Sequence, residues 1–110
     1  MQLSEVQKKC LDLLSRVKYP RVATIIGLQE EIGKLAEVIM DLEIYGKPFE
    51  KEKLDKRSAE VFFSFIDLCN SYDINLEKIS DDRIKDVRKQ VERWEKEHGE
   101  VLREKKEKFD

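Results

Sequence analysis

The sequence predicts an all-α protein built from four main helices packed as a bundle. Apolar residues recur at alternating steps of three and four in several long stretches, which is the spacing of one helix face. No stretch of useful length alternates as a strand does. The 110 residues include only 2 Pro and 4 Gly and are 40% hydrophobic and 42% charged, which is typical of helices with narrow apolar stripes and wide polar faces. This length fits a single domain, 1–110, with a core at 3–79 and a charged C-terminal helix at about 81–108.

The first predicted helix begins at Leu3 and ends near Lys18. Its apolar stripe comprises Leu3, Val6, Cys10, Leu13, Leu14 and Val17. Pro20 disfavours helical geometry in the residue before it, so the chain should break at Tyr19. Cys10 and the later Cys69 both occupy apolar helical positions with no CxxC motif or histidine nearby. This pattern favours buried free thiols over a metal site or a disulfide.

The second helix is the most strongly patterned element. Its apolar stripe comprises Ile25, Leu28, Ile32, Leu35, Ile39 and Leu42. We expect it to begin close to Pro20 or a few residues later and to end at about Tyr45, before the stop signal Gly46-Lys47-Pro48. Gly33 should mark a close approach to another helix. Acidic residues beside or behind the stripe usually form only a solvated face, and here they are Glu30, Glu31, Glu37 and Asp41.

The third helix is apolar on nearly all sides between Ala59 and Cys69, after the charged run 50–53. Its polar residues follow one line, at steps of four and three: Lys53, Arg57, Glu60, Ser64, Asp67 and Ser71. Buried charges are tolerated only when they are paired, metal-bound or facing water, so the acids of the second helix are the natural counterpart of this line. One short chain cannot cover apolar side chains on so many sides of one helix. The sequence therefore predicts a homodimer, with a tetramer of two such dimers as the alternative.

The fourth helix should follow a turn at 70–73 and a short piece at 74–79. Ser80 is a suitable N-cap, so the helix is expected to start near Asp81. Its apolar positions are Ile84, Val87, Val91, Trp94 and Val101. His98 falls in the same register and, without cysteine or histidine companions, is interpreted as a residue of the helix seam and not a metal ligand.

The remaining patterns exclude several classes of function. The net charge is −2 with signs mixed throughout, which gives no basic field for nucleic acid. No segment is long and apolar enough to span a membrane, and residues 1–10 lack signal-peptide features, which predicts a cytoplasmic protein. No phosphate-binding glycine loop and no Ser-His-Asp set are present.

Two segments resemble the motifs of a known family. The stretch Leu28-Gln29-Glu30-Glu31-Ile32-Gly33-Lys34-Leu35-Ala36-Glu37 resembles the EExxE helix of the MazG-like, all-α nucleoside triphosphate pyrophosphohydrolases. The later Arg57-Ser58-Ala59-Glu60-Val61 is similar to their ExxD motif, and Ile74-Asn75-Leu76-Glu77 to the "IDLEE"-like turn that follows it. The resemblance covers about residues 22–79. It implies a Mg²⁺ site of four carboxylates, two from each motif, and cleavage of a nucleoside triphosphate between its α and β phosphates to give the monophosphate and pyrophosphate.

Carried over by position, the four ligands would be Glu31, Lys34, Arg57 and Glu60, of which two are cations. Four carboxylates would carry four negative charges, whereas this set carries none, so Mg²⁺ binding of the family type is not expected. Glu31 and Glu60 remain as candidate metal ligands. We expect instead that these four residues neutralise each other in an ion-pair cluster. Glu31 lies one helical turn from Lys34 and Arg57 one turn from Glu60, and Glu-Arg and Lys-Glu pairs are expected across the two helices. Activity should then be weak or absent.

Two alternatives remain open. A rearranged metal site could use Glu31, Glu60 and Asp67, with Lys34 or Arg57 holding a phosphate of the nucleoside triphosphate. Other acids near the two stripes are secondary candidates for such a site: Glu30, Glu37 and Asp41. The last helix offers only loose candidates for phosphate contacts: Lys85, Arg88 and Lys89. In the third interpretation the chain is a helical interaction module, and the apolar positions of the last helix recruit a partner.

Overall fold

The computed structural model describes all residues 1–110 and contains four α-helices and no strand. The helices are α1 (Leu3–Leu14), α2 (Ala23–Glu43), α3 (Lys51–Ser71) and α4 (Leu76–Phe109). The predicted all-α class is confirmed. The chain divides into two compact units, Met1–Leu76 and Glu77–Asp110, which are described separately. In the first unit, α1 and α2 each pack against α3 to form a helical bundle.

α1 is shorter than predicted, whereas α2 begins within the predicted range and ends close to the predicted residue. α1 ends at Leu14, before Lys18, and its chain continues in a tight turn in which the Val17 N–H donates to the Leu14 carbonyl. Hydrogen bonds between residues three apart, as in a 3₁₀-helix, are common where the last turn of an α-helix tightens and ends. α2 begins at Ala23, whose N–H donates to the Pro20 carbonyl. The stop signal after α2 acts as expected, because Gly46 has a positive φ of 63°, a conformation that glycine adopts without strain.

The start of α4 differs from the prediction. The helix begins at Leu76 and runs through Ser80 without a break, so Ser80 is not a cap and no separate 74–79 piece exists. The earlier start is stabilised by the side chain of Gln7 in α1. The Leu76 N–H donates to Gln7 Oε1 at 3.2 Å, and this side chain satisfies one of the free N–H groups of the first turn.

The core of the first unit lies between α1 and α3 and reaches the first residue of α4. Its buried members are Cys10, Ile66, Cys69 and Leu76, and partly buried apolar side chains surround them. Both cysteines are free and buried, as predicted. Burial raises the pKa of both thiols, and the negative charge of Asp67 raises that of Cys10 further. These thiols are therefore protonated packing groups.

The polar line of α3 is partly buried, whereas its aromatic side faces outward. From Arg57 to Ser71, all five residues of that line are of intermediate burial. Phe62, Phe63 and Phe65 are 44%, 49% and 40% exposed. Gly33 does not mark a close approach within this chain, because a methyl group there would meet nothing within 4 Å. α3 therefore offers more apolar surface than the rest of the unit covers.

The second unit is the helix α4 from Glu77 onward. The five apolar positions named in its sequence are all exposed, and so is the His98 side chain, which lies 3.7 Å from Glu97 Oε2. Within this unit, no other side chains cover the apolar face that was predicted to pack against another helix. None of the four helices is long and apolar enough to cross a lipid bilayer.

Candidate functional site

Two acidic residues from neighbouring helices, each with a cation on its own helix, form the candidate site. On α3, Arg57 Nη1 donates to Glu60 Oε2 at 2.9 Å. On α2, Lys34 Nζ lies 3.4 Å from Glu31 Oε1. Both pairs have i, i+3 spacing, which places the two side chains on one helix face. Three of the four side chains are at least two-thirds buried, and Lys34 is 48% exposed.

The two carboxyl groups approach each other across α2 and α3. The pKa of Glu60 is lowered chiefly by its hydrogen bond from Arg57; partial desolvation opposes this, and a hydrogen bond with Glu31 and the charge of Lys56 lower it further. The Oε2 atom of Glu31 is itself buried and has no hydrogen-bond partner.

This arrangement differs in one respect from the expected cluster. The expected one-turn neighbours, Glu31 with Lys34 and Arg57 with Glu60, do form ion pairs along each helix. The ion pairs also expected across the two helices are not observed, because a cation three residues from an acid reaches it without spanning the gap between helices. The contact that crosses the gap is that between Glu31 and Glu60.

The secondary acidic candidates do not join this pair. Glu30 and Glu37 are exposed on α2. Asp41 forms an ion pair with Lys47, with 3.3 Å between its Oδ1 and the lysine Nζ. Asp67 accepts a hydrogen bond from the Tyr19 hydroxyl. No three Asp, Glu, His or Cys side chains in residues 1–110 lie close enough together to hold a metal ion, so the rearranged site of Glu31, Glu60 and Asp67 is not assembled.

The donor set does not fit the Mg²⁺ site that the family resemblance implies. Mg²⁺ requires hard oxygen ligands in a nearly octahedral array. Here the two carboxylates already bind Lys34 and Arg57, whose positive charges would repel a divalent cation. The orphaned Glu31 oxygen is one free acceptor, which is far fewer than a metal needs.

Tyr19 and Asp67 form a second polar site, which the sequence did not reveal. Desolvation, then the hydrogen bond to Asp67 and its charge, raise the pKa of Tyr19 to about 12. Arg21 lies over the Tyr72 ring, 5.1 Å from its centroid, a favourable cation–π distance. A cavity of about 240 Å³ adjoins these groups and is lined in part by Leu14, Lys18, Tyr19, Arg21, Asp67 and Ser71.

Gln7 is a further residue that sequence reasoning missed. Its Nε2 donates to the Ile74 carbonyl at 2.5 Å, and its own backbone carbonyl accepts from Asn70 Nδ2 at 3.0 Å. With the Leu76 contact, three hydrogen bonds join α1 to the α3–α4 turn. Its position could have indicated this role. Gln7 lies on the same helix face as Leu3, Cys10 and Leu14, and a buried polar residue on such a face requires hydrogen-bond partners.

The three candidates for phosphate contacts in the last helix belong to the second unit. Lys85, Arg88 and Lys89 are exposed residues of α4 in the second unit. Neither a protein family, nor a curated protein, nor a solved structure matches this chain.

Proposed function

We propose that this chain is a MazG-like all-α protein in which two ion pairs have replaced the metal site, so that it does not hydrolyse nucleoside triphosphates and serves as a scaffold for assembly. The observation that carries the proposal is that Glu31 and Glu60, the two acids left at the family's ligand positions, are paired with Lys34 and Arg57. The order and spacing of the two motifs along α2 and α3 support the family assignment.

Charge explains why such a cluster would disfavour metal. Two unit charges about 4 Å apart interact by about 4 kcal/mol at an effective dielectric constant of about 20. At that distance a divalent cation between Glu31 and Glu60 would meet about twice this repulsion from Arg57, because the energy scales with the product of the charges. It would meet less from Lys34, whose amine is half exposed to solvent. Binding would also require that both existing ion pairs be broken.

We also propose that α2 and α3 pair with a second copy of the chain. The phenylalanines of α3 are 40% to 49% exposed, and α2 exposes Ile25, Ile26, Ile32, Ile39 and Met40 by 40% to 54%. Only five hydrophobic side chains are buried in the whole chain, and only Ile66 and Cys69 are fully buried. A unit of this size has too little core of its own, and a dimer would cover the outer aromatic side of α3.

Pyrophosphate release tests the loss of hydrolysis. A panel of common and modified nucleoside triphosphates would be incubated with the full chain and Mg²⁺ or Mn²⁺, beside Glu31→Gln and Glu60→Gln. Glu30→Gln is the matched control, because Glu30 is the exposed neighbour of Glu31. The proposal predicts no metal-dependent release from any of these proteins. Turnover by the wild type and by Glu30→Gln that is lost in both site variants would contradict it and favour the rearranged metal site.

A further inference from the structure

The exposed stripe of α4 has the regular spacing of a coiled coil. α4 is a helix of 34 residues from Leu76 to Phe109. Its stripe consists of Ile84, Val87, Val91, Trp94, His98 and Val101, at steps of three, four, three, four and three. The apolar members of this stripe are 38% to 56% exposed. Long helices in proteins owe most of their stability to packing of an amphipathic face, so this face requires a covering partner.

The charges that flank the stripe differ between its two halves. In the heptad register of this stripe, Ile84, Val91 and His98 occupy position a and Val87, Trp94 and Val101 occupy position d. The charged residues at the flanking e and g positions between 83 and 104 are Arg83 and Arg88 toward the N-terminal end and Glu95, Glu97 and Glu104 toward the C-terminal end. Such positions select the partner and orientation of a coiled coil through their charges. The asymmetry therefore indicates which arrangement of two copies is favoured.

A parallel pair of α4 helices would bring like charges together. In a parallel dimer each g position faces the e position five residues later on the other helix. Arg83 of one copy would then face Arg88 of the other, at both edges of the pair. This repulsion disfavours the parallel orientation.

An antiparallel pair removes the conflict and preserves the apolar core. With the centres of the two stripes superimposed, Ile84 faces Val101 of the other copy, Val87 faces His98, and Val91 faces Trp94. In this orientation e positions face e positions and g positions face g positions.

The flanking charges of this register are complementary. Arg88 faces Glu95 of the other copy, and Arg83 faces Glu104. Each contact occurs twice because the pair is symmetric. The same register thus places apolar residues opposite apolar residues, with His98 opposite Val87, and brings cations opposite acids.

We propose that α4 is a self-association helix that pairs antiparallel with α4 of a second copy of this chain. The apolar stripe of one copy thus packs against the same stripe of the other copy, which runs in the opposite direction. This proposal does not depend on the fate of the metal site or on pairing through α2 and α3, because it rests on the pattern of the second unit alone.

Charge reversal on the full-length protein tests the orientation. Arg88→Glu and Glu95→Arg each convert two attractive contacts into two repulsive ones, which should weaken self-association measured by sedimentation velocity by roughly tenfold. The double variant Arg88→Glu/Glu95→Arg restores opposite charges and should recover the wild-type dissociation constant. Arg93→Glu is the control, since Arg93 lies at an outer heptad position. Tighter association of Arg88→Glu would indicate a parallel pair and overturn the proposal, as would equal dissociation constants for all variants.

Cysteine cross-linking gives a readout that is independent of affinity and of nucleotide hydrolysis. Val87→Cys and His98→Cys variants would be mixed and oxidised with glutathione disulfide; wild type is the control because Cys10 and Cys69 are buried. The proposal predicts a disulfide between the two different variants. A disulfide of each variant with itself would show a parallel pair, and the absence of α4 cross-links would show that another surface covers the stripe. Either of these results would contradict the proposal.

Discussion

Arg57 donates to Glu60 at 2.9 Å, so a cation on α3 neutralises the acid one turn further along the same helix. This bond is the main cause of the lowered pKa of Glu60. A carboxyl with a lowered folded-state pKa stabilises the protein above its unfolded-state pKa, and the contribution is lost as the pH falls through the folded-state value. The stability contribution of Glu60 therefore changes at acid pH, below the ordinary glutamate pKa of 4.5.

We expect Arg57→Gln to raise the pKa of Glu60, as followed by the side-chain carbon signal in NMR titrations. When the pH is lowered from neutral to below 4.5, the free energy of unfolding of the variant should also fall by less than that of wild type. Lys53→Gln is the control, because Lys53 lies one turn earlier on the same helix and is not among the groups that shift the pKa of Glu60. An unchanged Glu60 titration in Arg57→Gln would show that the bond does not persist in solution.

Gln7 is expected to be a large contributor to the stability of the first unit. Gln7→Ala removes two side-chain hydrogen bonds, to Ile74 and Leu76. Because it leaves those backbone groups partly buried and unpaired, we expect a loss of about 1–3 kcal/mol in the free energy of unfolding. Gln29→Ala, at an exposed position of α2, should change it by less than about 0.5 kcal/mol. Equal effects in urea unfolding would refute the role assigned to Gln7.

Ile66 is fully buried in the core between α1 and α3, with 0% exposure. Ile66→Ala should lower the free energy of unfolding by about 2–5 kcal/mol, because it removes buried methylene groups and leaves a cavity. Ile44→Ala is the matched control, since Ile44 is 66% exposed. A small effect at Ile66 would mean that the core is not packed as described.

Tyr19 should titrate at an unusually high pH. Its pKa is raised to about 12 by desolvation and by Asp67, and Asp67→Asn should lower it in an ultraviolet titration. The stabilisation is present below the ordinary tyrosine pKa of about 10 and is lost as the pH rises toward the folded-state value. Tyr19→Phe identifies the signal, and Asp55→Asn controls for charge on the same helix. A Tyr19 transition that is insensitive to Asp67→Asn would disprove the contact.

Local patterns predicted the helices well because an apolar stripe of three-four spacing specifies a helix wherever it occurs. They failed where a distant residue decides the local outcome. The start of α4 depends on Gln7, which is 69 residues away from Leu76, so Ser80 was mistaken for the cap. The Tyr19–Asp67 bond joins residues 48 apart. At the candidate site the sequence identified the four residues and their signs of charge, but side-chain reach decided that the ion pairs run along the helices.

Metal binding by a variant with restored carboxylates shows whether Lys34 and Arg57 are what prevents the site from holding a metal ion. Lys34→Glu/Arg57→Glu would place carboxylates at all four of the family's ligand positions, and Lys8→Glu/Lys9→Glu makes the same charge change at exposed positions of α1. Mn²⁺ binding would be followed by electron paramagnetic resonance, with circular dichroism to verify folding. We expect no specific binding at millimolar concentration by wild type or by the control, and binding by the site variant. Wild-type affinity in the millimolar range or tighter that disappears in Glu31→Gln would contradict it.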